Sequence, residues 1–244
     1  MKFSMSIVLI FLLFSIPLFA LESEPSETVG YVKVEAISGY TPFSLPFTFF
    51  DVTYTETLDL DDIIGNQLTG GDAFTGDQVY EVGGAFAYYN SSTEQWSGIL
   101  ENFTDNKAYY FKIQSGHSEA DVYLAGTVLR ESQSIYCDIG YTILGIREAG
   151  VIAIEDLDLI ASGFTGGSPF SSDQIIELGG GYAYYNTDTS SWNGTLTDIE
   201  PAKVYYIQVK TGHSAFTWNY NPTSRSENVS KVEMTENAGQ GGLK

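Results

Sequence analysis

The sequence predicts an all-β protein: two tandem β-sandwich-like domains, with one short helix per unit, arising from an internal duplication. Three observations predict it. Residues 69–118 superimpose on residues 165–214 at a constant offset of 96 with no gap, and 23 of those 50 positions are identical, far above what two unrelated segments share. Glycine and aromatic residues are abundant, with 25 Gly, 17 Tyr and 15 Phe, a composition suited to strands and tight turns. Apolar and polar residues alternate with a period of two through several short runs, the spacing of a strand with one buried face.

The elements follow in order. Residues 1–20 read as a signal peptide: Lys2 opens a minimal positive region, residues 7–19 form an apolar run, and Ala20 is the cleavage residue. The run is too short, and too broken by Pro17, for a membrane span. The first domain is expected over 28–126 and the second over 134–222, with a disordered tail over 223–244. Residues 31–37 alternate as a half-buried strand, and residues 40–50, with Pro42 and Pro46, suit an edge or bulged strand. Within 51–66, Leu58, Leu60, Ile63 and Ile64 are spaced for a short helix with Asp59 or Thr57 at its start and Gly65-Asn66 at its end.

The repeated core comes next. A Gly-rich loop over 68–76 leads to a strand at 78–82, a two-residue Gly83-Gly84 turn and a strand at 85–90, a hairpin. Residues 91–95 read as a polar loop before Trp96. Residues 108–114 place Tyr109, Phe111 and Ile113 on one face and Tyr110, Lys112 and Gln114 on the other; Ala120, Val122 and Leu124 form a closing strand. In the second unit Tyr205, Ile207 and Val209 take the inward places, Phe216, Trp218 and Tyr220 the closing strand, and 155–161 the helix. The front of that unit matches the first at an offset of 101, five residues having been lost before its helix. The short linker near 127–133 predicts that the domains touch.

Charge and cysteine content bound the function. The 31 acidic and 11 basic residues leave a net charge of −20; such a surface repels nucleic acid and anionic lipid. Cys137 is the one cysteine, so no intramolecular disulfide forms, which points to a bacterial exported protein; it reads as a buried small hydrophobe. His117 and His213 occupy equivalent Gly-His-Ser turns, each alone in its domain, and read as groups satisfying turn backbone. The acidic pairs Asp61-Asp62 and Glu155-Asp156 have the residue types of a glycosidase, but sit on a polar helix face. No cofactor or metal is called for. The better binding candidates are aromatic: Tyr89, Trp96 and Tyr110, recurring as Tyr185, Trp192 and Tyr206, rings of the kind that stack on sugars.

The order G-Y-T-x-x-S-L-P-F at 39–47, a short helix, D-Q-V-Y, an aromatic strand, Trp, and Leu…Pro-x-K-x-Y-Y-I-x-V at 196–209 resembles a secreted bacterial β-module of the G-W-N-L-I-S-L-P … W … L-x-P-G-K-G-Y-W-I type. Tyr40 and Tyr141 stand at its tryptophan, and Ala202 and Val204 replace its glycines. The resemblance implies an all-β module used as stalk, spacer or adhesive surface, and transfers no catalytic residue. The reading is a non-enzymatic exported structural or adhesive protein, extracellular or at the cell surface, with the periplasm as the alternative compartment. Its partners would be a glycan or another surface protein, with no nucleic acid and no membrane span after signal cleavage. A carbohydrate-binding module pair is the alternative, and a secreted hydrolase ranks last.

Overall fold

A computed structural model describes residues 29–46, 58–104, 106–127, 132–146 and 150–220. Residues 1–28, where a signal peptide and a lead-in are expected, residues 47–57 and residues 221–244, where a disordered tail is expected, lie outside the described residues. Strands make up 48% and helix 7% of the structure, so the fold is all-β in a two-domain layout, as the alternation predicts.

In the first unit β1 (Val29–Ala36), β2 (Gly39–Ser44), β3 (Leu58–Asp59), β4 (Gln78–Glu81), β5 (Phe86–Asn90), β6 (Gln95–Gly98), β7 (Asn102–Phe103), β8 (Ala108–Ile113) and β9 (Ala120–Thr127) follow in order. Every pairing is antiparallel: a five-stranded sheet β2-β8-β4-β5-β6, a ribbon β1-β9 and a short pair β3-β7. β1 runs into β2 through two residues, β8 runs into β9 through 114–119, and Ser38 bridges Ile113 at the bend. The β2–β8 ladder thus turns a corner and continues as the β1–β9 ribbon. Inward side chains of both pack together: Phe43, Val79, Phe111 and Ile113 from the sheet meet Ala36, Val122 and Leu124 from the ribbon. Phe43 stacks on Phe111 with centroids 3.9 Å apart.

The second unit repeats this order. Its strands are β10 (Gln133–Cys137), β11 (Gly140–Leu144), β12 (Ile152–Ala153), β13 (Gln174–Glu177), β14 (Tyr182–Asn186), β15 (Ser191–Gly194), β16 (Asp198–Ile199), β17 (Tyr205–Val209) and β18 (Phe216–Tyr220). Its sheet runs β11-β17-β13-β14-β15, with ribbon β10-β18 and pair β12-β16. Trp218, fully buried, fills the place that Val122 holds in the first core.

Four local expectations change. The helix of the first unit is a single turn, Leu60–Ile63, and Asp59 caps it by accepting from the Asp61 amide at 2.9 Å. In the second unit the expected helix splits into a 3-10 turn, Ile154–Leu157, and an α-turn, Leu159–Ser162, because Asp158 between them is left-handed at φ 51°. The hairpin loop is 82–84 rather than two residues, since the Glu81 amide donates to Ala85 O at 2.8 Å and the Gly84 amide to Glu81 O at 3.1 Å. Trp96, read as following a loop, lies inside β6.

The units touch through a pseudo-two-fold interface. Ser44 donates from its amide to Ala202 O at 2.8 Å and from its hydroxyl to Lys203 O at 2.6 Å. The counterpart of Ser44 is Gly145, and the counterpart of Ala202 is Asn106. These two also meet: a Cβ added to Gly145 would lie 2.8 Å from Asn106 Oδ1, and Gln133 Nε2 ties both, at 2.7 Å to Gly145 O and 3.3 Å to Asn106 Oδ1. Asn106 and Ala202 share a left-handed backbone, φ 56° and 62°. One patch therefore contacts its own copy, as in an isologous dimer.

Candidate functional site

The repeated histidines belong to a buried network. Asp77 is fully buried, and three N–H groups converge on its carboxylate: the Thr69 amide at 3.0 Å, the Gln114 amide at 2.8 Å and His117 Nδ1 at 2.7 Å. Asp173 repeats it with the Thr165 amide at 2.8 Å, the Lys210 amide at 2.9 Å and His213 Nδ1 at 2.6 Å. Each carboxylate thereby fastens the Gly-rich loop to the turn after the long sheet strand, and the imidazole closes the set. An Asp–His pair is also two thirds of a hydrolytic triad. Among the described residues no serine or cysteine bonds either Nε2, and no group of three metal-ligating side chains forms. The signal for this network was present in the sequence: Asp and His recur 40 positions apart in both copies.

The six aromatic candidates separate into two groups. Trp96 and Trp192 are half-buried and pack against their cores; Trp96 Nε1 donates to Gly65 O at 3.0 Å, and Trp192 lies against Phe164 with centroids 5.2 Å apart. Tyr89 and Tyr185 stand edge-on to these tryptophans. They also lie over Gly70 and Gly166, where an added Cβ would come within 3.1 and 2.9 Å of the tyrosine Cδ1. That close approach is the reason the loop needs glycine there. Tyr110 and Tyr206 lie on the outer face of their sheets, as alternation predicts, but each is half-buried and meets a tyrosine of its own unit edge-on, Tyr40 and Tyr141. Burial first, and then the nearby Tyr110 phenol, push the Tyr206 hydroxyl above its ordinary value.

The structure exposes different rings. Phe74 and Phe170, equivalent residues at the tips of the Gly-rich loops, are 87% and 91% exposed. Their loops are tightly tied. Gln78 Nε2 donates to Ala73 O at 2.6 Å, and Gln174 Nε2 to Pro169 O at 2.7 Å. Asp72 Oδ1 accepts from the Phe74 and Thr75 amides, while Ser171 Oγ accepts from the Ser168 amide. Alternation could not find these residues because they lie on no strand.

Of the five described lysines, three are neutralised. Lys33 pairs with Glu35 at 2.7 Å, Lys107 with Glu81 at 2.6 Å, and Lys203 with Glu200 at 2.8 Å and Glu177 at 3.0 Å. Burial opposes the Lys203 charge, but its two glutamate hydrogen bonds win and hold its pKa above the ordinary value. A cleft of about 380 Å³ between the units is lined by Lys33, Glu35, Glu177, Glu200 and Lys203, so its charges satisfy one another. Lys112 and Lys210 have no carboxylate within salt-bridge distance among the described residues. Lys112 Nζ lies 5.8 and 5.7 Å from the Tyr40 and Tyr80 rings, a cation–π setting. Lys210 Nζ donates to Gln208 Oε1 at 2.7 Å.

Cys137 is fully buried, and burial, reinforced by Asp173, pushes its thiol up to about 12; a thiol so held is inert. Burial likewise pushes the Tyr205 phenol up to about 12, against the opposing hydrogen bond from the Glu200 amide. Both folded values exceed the ordinary 9.0 and 10.0. The unfolded chain therefore loses these protons first, and stability is full below about pH 9 and falls as pH rises toward 12. Denaturation midpoints measured from about pH 8 to 11 should decline, and Cys137→Ala should delay the onset; a flat profile would contradict this assignment.

Among the described residues no helix is long and apolar enough to cross a membrane. No family model, curated protein or solved structure matches the chain.

Proposed function

We propose that the chain is a non-enzymatic exported protein, extracellular or at the cell surface, that serves structure or adhesion through two repeated β-domains. The observation that supports this most is the use made of the repeated polar residues. The Asp77 and Asp173 carboxylates spend their hydrogen-bonding capacity on backbone amides and on Nδ1 of His117 and His213. Repetition here preserves loop attachment. The pseudo-two-fold contact then joins the two units through hydrogen bonds at Ser44 and Gln133. The apolar leader at 1–20 and the resemblance to secreted bacterial β-modules support export.

A carbohydrate-binding module pair is the second reading, favoured by Phe74 and Phe170 on their tied loops. The purified protein is expected to release no product from peptide or polysaccharide substrates. Turnover that Asp61→Asn or Glu155→Gln abolishes, both being solvent-exposed acids, would replace the non-enzymatic reading with a hydrolase.

A further inference from the structure

The outer faces of the two sheets have diverged. In the first unit Tyr40 meets Tyr80 and Tyr110 edge-on, with centroids 5.9 Å apart in each case. Tyr80 stacks on Phe86 at 5.3 Å. Lys112 and the Tyr80 hydroxyl both donate to Gln78 Oε1, at 3.0 and 2.8 Å. That face is occupied by its own side chains. In the second unit Ile176 stands where Tyr80 does, Gln208 where Lys112 does, and Lys210 where Gln114 does. The cluster is thinner, and a groove of about 380 Å³ opens between Phe170, Pro169, Tyr182, Gln174 and Lys210. This lies within the ~300–1,000 Å³ range of small-molecule sites.

From this groove we infer that the second unit binds a neutral pyranose within a glycan chain, gripped between Phe170 and Tyr182. The inference rests on the carbohydrate-binding reading and names its site. Phe170 is 91% exposed on a loop that its own hydrogen bonds hold still, so little entropy is lost when a ring stacks on it. Tyr182 stacks on the buried Tyr184, with centroids 6.3 Å apart and planes 18° apart, which holds its ring in place at the groove. Flat rings cover the C–H face of a pyranose, and polar groups between them take its hydroxyls. Lys210 supplies those donors, having spent one hydrogen on Gln208 and none on a carboxylate. No acidic residue lines the groove in a chain with 31 of them. The net charge of −20 selects a neutral ligand over a polyuronate, which the surrounding field repels.

Calorimetric titration of the purified protein with cellohexaose, xylohexaose, mannohexaose and polygalacturonate tests this. At least one neutral hexaose should bind, and Phe170→Ala and Tyr182→Ala should each weaken it about tenfold or more. Both residues are exposed, so the thermal midpoints of the variants should match the parent. Phe74→Ala should leave affinity within about twofold, since the face of the first unit is filled. If a hexaose binds but Phe170→Ala and Tyr182→Ala leave its affinity unchanged, this site is wrong while the carbohydrate-binding reading stands. If polygalacturonate alone binds, the neutral ligand is wrong. If none of the four binds, the site and the carbohydrate-binding reading fall together.

Discussion

Asp77→Ala is expected to destabilise the first unit by about 3–5 kcal/mol, the cost of removing one member of a buried, hydrogen-bonded charged set. The carboxylate is fully buried and accepts from the Thr69 and Gln114 amides and from His117. Alanine leaves two main-chain donors without their acceptor, at a desolvation cost, and deprives the part-exposed His117 imidazole of its partner. Asp77→Asn should recover part of the loss, because its carbonyl can still accept at the Gln114 and His117 side while its amide cannot accept from Thr69. Urea denaturation measures both. The Asp173→Ala variant should behave alike in the second unit, where the same three donor types converge. An Asp77→Ala midpoint equal to that of the parent would remove the carboxylate from its role as the anchor of the Gly-rich loop. Because that loop carries Phe74, the same variant should also raise hydrogen exchange at the amides of 69–77.

Trp218→Ala should cost about 3–5 kcal/mol in the second unit. Trp218 has no exposed surface, and its Nε1 donates to Leu157 O at 2.7 Å. The substitution opens a cavity and leaves that carbonyl without its donor. Trp218→Phe keeps most of the apolar volume, so it isolates the hydrogen bond and the smaller void and should cost about half as much. The equivalent position in the first unit is Val122, also fully buried; Val122→Ala removes far less volume and should cost about 1–2 kcal/mol. A Trp218→Ala loss no larger than that of Val122→Ala would mean that the second core collapses around the missing ring.

Most of the strands were readable because their side chains alternate. Tyr109, Phe111 and Ile113 and their counterparts Tyr205, Ile207 and Val209 are all buried, and Asp59, one of the two cap residues the spacing allowed, caps its helix. The short strand holding Trp96 was not readable: its four residues offer no alternation long enough to see. The candidate tyrosines show the limit most clearly. Alternation told which residues share a face with Tyr110, but not that Tyr40 would meet its ring edge-on and leave it half-buried.

By itself the sequence determined the duplication, the all-β class and the inward face of each long strand, and narrowed the helix cap to Asp59 or Thr57. These depend on residues near one another in the chain, through the two-residue strand period and local hydrogen bonds. The tertiary structure alone decided the strand order, the joining of Asp77 to His117, the pseudo-two-fold contact and the exposure of Phe74 and Phe170. Each of these depends on what lies across space from a residue. Local periodicity carries no record of which surface another part of the chain will cover.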